Sequence, residues 1–189
     1  MMTTIVPTWD PQTDSGQLLP ITVVAWEVDE SRGGSLRVVG PMGEEMRESM
    51  EIAMTLAQHT MAERMKQRVY YDIIVTLGVD EEVMYDGPSA GLAIYISAMG
   101  AMLGWESSPE VAVTGEVKRD GSVIRVGGIK NKMRLAALGL ISTVLVPAGN
   151  AKTLGKSEYE DFGGDLDILG VSHVDEVFGI KCYRMGATT

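Results

Sequence analysis

Residues 86–91, with the sequence DGPSAG, place a hydroxyl group where it could act as a nucleophile. Two glycines and a proline impose a tight turn, and Ser89 falls at the expected N-terminus of an apolar helix. The first-turn amides of such a helix, including those of Ser89 and Ala90, could bind an oxyanion. A substrate carbonyl could approach the hydroxyl closely past its neighbours Gly87, Pro88 and Gly91. The alternative is that Ser89 only caps the helix, the commoner role of a serine in this position.

A nucleophilic serine needs a base, and the two histidines are poor candidates. His59 falls on a predicted helix and His173 in a C-terminal loop, and neither has the neighbouring carboxylates of a catalytic triad. The other known base is a lysine that loses its proton near neutral pH, because burial disfavours its charged form. The segment GGIKNKM, residues 127–133, supplies two lysines at the start of a predicted helix.

Helical geometry separates these two lysines. At about 100° per residue, Lys132 lies roughly 60° from the centre of the apolar stripe, whereas Lys130 lies roughly 100° away on the other side. Lys132 is therefore the better candidate for a buried amine. The alternative is an ordinary lysine whose stem covers the core and whose ammonium group reaches water. The serine and lysine motifs together are far more specific than either one alone.

The composition argues against several classes of partner. The chain has 189 residues and a formal net charge of −10 at pH 7, the wrong sign for binding nucleic acid or anionic lipid. Its apolar fraction of 45% is that of a globular protein, and no apolar run approaches the ~18 residues that span a bilayer. The single cysteine, Cys182, excludes an internal disulfide and a cysteine-only metal site. We expect a soluble, cytoplasmic protein without a metal or other cofactor.

The elements that must position the serine and the lysine indicate an α+β fold, with mixed sheets of hairpins packed against about four to six helices. Strands are predicted over residues 17–28, 35–39, 71–77, 111–114, 122–126, 143–146 and 166–169. Helices are predicted over residues 43–65, 90–104, 129–140 and 174–178. Two hairpins are expected, one joining the first two strands and one joining strands 111–114 and 122–126. The stretch 90–104 is apolar on nearly every face, which predicts a central, buried helix.

The same patterns predict one domain with two short extensions. Residues 1–16 are polar and lack apolar periodicity, so they are predicted to form an N-terminal arm without a part in the chemistry. Residues 17–180 are predicted to form the domain, and residues 181–189 a C-terminal tail. An acidic loop, residues 78–86, leads into the serine motif.

Several motifs together resemble those of the proteolytic domain of Lon proteases, most closely the bacterial type. They are DGPSAG with Ser89, VTGEV at residues 113–117, GGIKNK with Lys132, and TVLVP at residues 143–147. The resemblance extends from about residue 17 to residue 180. The spacing of 43 positions between Ser89 and Lys132 is that of the family's serine–lysine dyad.

This resemblance implies the Lon proteolytic-domain fold and a serine endopeptidase in which Ser89 is the nucleophile and Lys132 the base. It implies further that Thr114 orients the lysine and that Glu116 and Asp86 lie near the site. Two departures flank the dyad and bear on specificity. Asn131 stands where the family usually has glutamate, and the strand at residues 72–76 lacks histidines that many members carry.

The resemblance also bears on substrates and partners. It implies cleavage of unfolded or loosely folded polypeptides and assembly into a homo-oligomeric ring, commonly of six. The chain has no room for the ATPase module that Lon usually carries, so we expect a stand-alone peptidase that is ATP-independent or served by a separate ATPase. Residues 149–157 end in GKS like a phosphate-binding loop, but five residues separate their glycines where four are required.

Two alternatives to a peptidase remain open at the level of sequence. The first is a non-catalytic Lon-like scaffold that binds a partner, although such loss of function normally removes the serine or the lysine. The second is a small-molecule kinase that uses the glycine-rich helix start as a phosphate cradle.

Overall fold

The computed structural model describes residues 1–78, 84–154, 166–180 and 183. Within these ranges a seven-stranded mixed sheet packs with helices, and the expected α+β fold is confirmed. In spatial order its strands are β3 (Ser35–Val39), β4 (Tyr70–Leu77), β2 (Leu18–Val28), β1 (Met2–Pro7), β5 (Val111–Val113), β8 (Thr143–Pro147) and β9 (Asp167–Val171). Two shorter strands, β6 (Glu116–Val117) and β7 (Val123–Ile124), form a separate antiparallel ribbon.

The helices of the described residues are α1 (Glu44–Met65), α2 (Gly91–Leu103), α3 (Ile129–Leu138) and α4 (Ala148–Ala151), with 3₁₀ turns at Pro88–Ala90 and Val174–Gly179. Four buried methionines at helical spacing, Met46, Met50, Met54 and Met61, form a stripe on α1 that faces the core, here called the methionine stripe. The first ten residues of α2 are all buried, which confirms the prediction of a central helix. None of the helices in the described ranges is long and apolar enough to cross a membrane.

The N-terminal segment corrects one prediction, because residues 2–7 are not an arm. They form β1, which pairs antiparallel with β2 and parallel with β5 near the middle of the sheet. Met2 and Val6 are fully buried, and the buried Thr4 hydroxyl lies 2.6 Å from Ser97 Oγ. The strand was not predicted because its threonines are polar and interrupt the apolar pattern. Threonine nevertheless suits a pleated strand, and the hydroxyl of Thr4 has its hydrogen-bond partner in Ser97.

Strand pairing corrects both predicted hairpins. β4 lies between β2 and β3, and it pairs antiparallel with β2 and parallel with β3. β5 joins the large sheet between β1 and β8, while the turn at residues 120–121 connects β6 to β7 instead. β2 and β3 therefore do not pair although they are neighbours in sequence, because β4 and β1 offer longer apolar partners to β2 than the short, exposed β3 does.

The helices cover both faces of the sheet. Val113 of β5 packs in the core formed with α1 and α2, whereas the preceding Ala112 packs in a second cluster that contains Met133 of α3. Successive strand residues point to opposite faces, so α2 and α3 lie on opposite sides of β5. The chain segments that carry Ser89 and Lys132 therefore belong to different layers.

Some predicted segments fall in part outside the described residues. These are the acidic loop at residues 78–86, of which 79–83 are not described, and the GKS of residues 155–157. The start of the predicted loop 149–157 is instead the end of α4. Of the predicted tail at residues 181–189, the structure describes Tyr183, whose ring stacks on Trp105 with centroids 6.0 Å apart.

Candidate active site

The turn that carries Ser89 is fixed by hydrogen bonds to its backbone. Gly115 N donates to the Ser89 carbonyl over 2.8 Å, and Thr114 Oγ1 donates to the same oxygen over 3.3 Å. The preceding carbonyl, that of Pro88, accepts from Ser49 Oγ at 3.0 Å. Gly87 enters the turn with a φ of 96°, a conformation that side chains with a Cβ rarely adopt. These contacts leave Ser89 at the start of α2 with its backbone held from two sides.

Ser49 is a site-supporting residue that the sequence analysis missed. It lies on α1, is only 3% exposed, and shares the buried stripe with Met46 and Ala53. The sequence could have predicted this role, because Ser49 lies three residues after Met46 and four before Ala53 and so falls on the buried stripe. A polar residue on such a stripe needs a hydrogen-bond partner. That partner is the turn before Ser89.

Lys132 reaches the hydroxyl of Ser89 from the opposite layer. Its side chain is 4% exposed, and its Nζ lies 2.9 Å from Ser89 Oγ and 3.3 Å from Thr114 Oγ1. Burial lowers the pKa of the Lys132 ammonium group from 10.5 to about 8. Lys130 is exposed, so the structure agrees with the helical-phase argument that chose between the two lysines.

Thr114 connects the Lys132 side chain to the backbone of Ser89. It directly follows β5 and is fully buried, and its backbone N–H donates to the Leu145 carbonyl of β8. Because its hydroxyl proton is directed at the Ser89 carbonyl, its oxygen can accept a hydrogen bond from Lys132 Nζ. A neutral lysine held in this way would keep its lone pair for the hydroxyl proton of Ser89.

The two acidic residues expected near the site make other contacts. Asp86 Oδ1 accepts from Met46 N at 3.1 Å and from Gly87 N at 2.8 Å, so this carboxylate caps the N-terminus of α1 and fixes the entry to the turn. Gly43 is required beside it, because a Cβ there would collide with the Asp86 carboxylate. Glu116 accepts a hydrogen bond from Lys118 Nζ on the β6–β7 ribbon.

Neither histidine joins the Ser89–Lys132 pair. His59 is 68% exposed and lies beside Glu63 on α1, and the 42% exposed His173 contacts Asp175. Both side chains lie at the surface, which agrees with the prediction that neither histidine is the base.

A cavity of about 610 Å³ opens beside Ser89 and Lys132. One side is lined by the turn and its neighbours, including Ala90, Asp86, Tyr85 and Met46. The other side is the connection between β1 and β2, residues 8–17, which we call the β1–β2 loop. The polar residues of this loop carry no recognisable motif, so no part in the chemistry was predicted for them.

Comparison with known proteins identifies the family of this chain. Residues 11–183 match the family model of the Lon protease (S16) C-terminal proteolytic domain. The chain belongs to this family. The match begins inside the β1–β2 loop and ends at Tyr183, somewhat beyond both limits that the motifs alone suggested.

Curated relatives of this family include Lon proteases from bacteria. The chain is 32% identical to Lon protease of Orientia tsutsugamushi over 149 residues, which is 78% of this chain and 19% of that protein. It is 33% identical to the Vibrio parahaemolyticus enzyme over 156 residues, covering 80% of this chain and 19% of the relative. With Nitratidesulfovibrio vulgaris Lon protease the identity is 35% over 146 residues, or 76% and 18% of the two chains. The chain thus spans about a fifth of the length of these relatives.

Proposed function

We propose that this chain is a serine endopeptidase that uses Ser89 as nucleophile and Lys132 as general base. The observation that carries the proposal is the 2.9 Å distance between Lys132 Nζ and Ser89 Oγ, with the amine buried and its pKa lowered to about 8. A serine hydroxyl is a poor nucleophile until a base removes its proton, and a neutral amine at this distance can do so.

The reaction follows from the positions of these atoms. Ser89 Oγ attacks the carbonyl carbon of the scissile peptide bond while Lys132 Nζ takes the hydroxyl proton. The C–N bond then breaks, and Nζ returns the proton to the leaving amine. The ester left on Ser89 is hydrolysed by a water molecule, which Lys132 deprotonates in the same way. Thr114 keeps the amine directed at Ser89 during both steps.

The negative charge that develops on the carbonyl oxygen needs donors, and we assign these to the backbone N–H groups of Ser89 and Ala90. They lie in the 3₁₀ turn that precedes α2, next to the cavity. A donor of this kind contributes about 3 kcal/mol to the stability of the transition state. Gly87 and Pro88 shape the approach of the substrate backbone to the same turn. Gly91, expected to do the same, is buried, and a Cβ there would meet Ser49 Oγ at 2.7 Å, so its small size serves packing against α1 instead.

The substrates that fit this proposal are unfolded or loosely folded polypeptides. An extended chain can be bound through its backbone without a fixed sequence, and only an extended chain brings a peptide bond to Ser89 inside the cavity. The relatives are named Lon proteases, which supports polypeptide substrates. We propose that these 189 residues cleave without ATP and assemble into a ring of six.

The experiment is cleavage of casein by the purified chain, with and without ATP, with fragments identified by mass spectrometry. Ser89→Ala and Lys132→Ala should each reduce cleavage by about a thousandfold or more while circular dichroism stays unchanged. The control is Lys130→Ala, which changes the exposed lysine of the same helix and should cleave normally. Retained cleavage in either Ser89→Ala or Lys132→Ala would refute the assigned roles, and light scattering reports the oligomeric state.

A further inference from the structure

The β1–β2 loop lines a large part of the cavity that contains Ser89 and Lys132, and we call this part the wall. Its contributions to the lining include Thr8, Trp9, Asp10, Pro11, Thr13 and Ser15. The cavity volume of about 610 Å³ is in the range of substrate-binding pockets. A polypeptide whose scissile bond lies at Ser89 must therefore place neighbouring side chains against this loop.

Two contacts attach the loop to the two chain segments that carry Ser89 and Lys132. Trp9 packs over Gly128, the residue before α3, where an added Cβ would approach the indole to 3.1 Å. At the other end of the loop, Gln17 Nε2 donates to the hydroxyl of Tyr85 over 3.1 Å. The loop therefore bridges the start of the lysine helix and the segment that leads into the serine turn. Both ends of the loop are thereby held relative to the segments that carry Ser89 and Lys132.

Asp10 presents an ordered carboxylate on this wall. The loop is closed by Asp10 N, which donates to the Ser15 carbonyl over 2.8 Å. Asp10 Oδ1 accepts from Gln12 N at 2.8 Å, and Oδ2 accepts from Thr13 Oγ1 at 2.9 Å. These hydrogen bonds favour the charged form and lower the pKa of Asp10. Each carboxylate oxygen keeps further capacity to accept a hydrogen bond.

No other charged residue of the described lining neutralises the Asp10 carboxylate. Asp86 is the other acid, and its Oδ1 is already engaged by the backbone amides of Met46 and Gly87. The basic residue of the described lining is Lys132, whose amine is directed at Ser89 Oγ and Thr114 Oγ1 and carries at most one positive charge against the two carboxylates. The cavity thus has a negative potential, which favours a substrate cation over an anion.

We propose that the β1–β2 loop is the specificity wall of this peptidase and that the Asp10 carboxylate binds a lysine or arginine side chain of the substrate near the scissile bond. The half-buried Trp9 next to Asp10 offers apolar surface to the methylene stem of such a side chain. The inference rests on the proposed peptidase function for the position of the scissile bond. It goes beyond that function by naming the residue class that the site selects.

The first test compares peptides of one sequence that carry lysine, glutamine or glutamate at each position flanking the cleaved bond. At one of these positions kcat/KM should be about fivefold higher for lysine than for glutamine, the strength of a solvent-accessible ion pair, and lowest for glutamate. Asp10→Asn should remove this preference, because asparagine can still accept from Gln12 N but carries no charge. A second variant, Asp10→Ser, also keeps a side-chain acceptor for the turn and should give the same result.

The matched control is Asp14→Asn, which removes the same charge from the same loop. Asp14 does not line the cavity, and its φ of 53° is a conformation that asparagine tolerates well. This variant should retain the full preference for lysine. Equal kcat/KM for all three peptides in the unmodified chain, or an equal loss of preference in Asp10→Asn and Asp14→Asn, would overturn the proposal.

A binding experiment separates failure of this inference from failure of the proposed function. Fluorescence anisotropy of the same labelled peptides is measured with Ser89→Ala, which cannot form the ester. A preference for the lysine peptide that disappears in Ser89→Ala/Asp10→Asn supports the specificity wall even if the unmodified chain cleaves nothing. Cleavage of all peptides with no preference in either cleavage or binding refutes the wall and leaves the peptidase proposal standing.

Discussion

At the scale of single residues, burial gives Lys132 the property that a base requires. An ordinary lysine is almost fully protonated at pH 7, whereas a pKa of about 8 leaves roughly a tenth of the amine neutral. The same burial has an energetic cost, because the folded chain must hold a group that prefers to be charged in water. The rate of cleavage and the free energy of unfolding should therefore both depend on pH through this one side chain. The two dependences can be measured separately.

The dependence of activity on pH follows from the neutral fraction of Lys132. We expect kcat/KM for peptide cleavage to rise about tenfold per pH unit between pH 6 and 7.5 and to level off above about pH 8.5. Initial rates in buffers of constant ionic strength test this. A rate that stays flat from pH 6 to pH 9, with the fold intact, would show that the lysine does not act as the base.

The stability of the fold should also depend on pH, because burial disfavours the charged form of Lys132. Since the pKa of Lys132 is lower in the folded chain than in the unfolded one, the unfolded chain binds more protons between about pH 8 and 10.5. Lys132→Met, which removes this cost, should raise the free energy of unfolding at pH 7 by up to about 3 kcal/mol. Urea unfolding of both chains should show the difference constant below pH 7 and shrinking from pH 8 upward. A Lys132→Met chain that is less stable at pH 7 would contradict this account.

At the scale of elements, the geometry of the site is imposed on a turn by the helices and strands around it. The carbonyls of Pro88 and Ser89 are held by α1 through Ser49 and by the segment after β5 through Thr114 and Gly115. The Asp86 carboxylate ties the same turn to the N-terminus of α1. The position of Ser89, the proposed nucleophile, thus depends on α1 as much as on its own helix, α2.

Ser49→Ala tests the contribution of α1. Loss of the hydroxyl leaves the Pro88 carbonyl without this donor, which should cost about 1–3 kcal/mol of stability and lower kcat more than it changes KM. The shape of the pH profile should stay the same, because Ser49 does not contact the lysine. The control is Thr55→Ala on the same helix, which removes an exposed hydroxyl bonded only to the helix carbonyl of Glu51. An equal, small effect of both substitutions would show that Ser49 does not position the turn.

At the scale of the whole molecule, the N-terminal segment is part of the sheet, and the sheet separates the two layers that meet at the site. Val6→Asp should destabilise the chain by about 4 kcal/mol or more, because it places an unpaired charge in the centre of the core. Gln12→Asp, an exposed change in the β1–β2 loop, should be nearly neutral. Urea unfolding measures the free energy of unfolding of both variants. A Val6→Asp chain as stable as the unmodified one would show that this segment is an arm after all.

Local patterns were sufficient for much of the fold. The methionine stripe of α1, the all-apolar α2 and the amphipathic α3 follow from spacings of three and four residues, which report burial on a helix directly. Strand pairing did not follow, because β3 is adjacent to β2 in sequence but lies beside β4 in the sheet. The choice of partner is made by long-range burial, which a local pattern does not contain.

The sequence by itself determined which side chains could do chemistry, since the glycine-rich turn around Ser89 and the helical phase of Lys132 are local properties. Only the tertiary structure decided that these side chains meet, because α2 and α3 lie on opposite faces of the sheet and come together just past the end of β5, at Thr114. It also decided that Asp10 and Trp9, eighty residues or so before Ser89, form a wall of its cavity. Contacts between such distant segments depend on how the layers pack, and packing is a property of the whole chain.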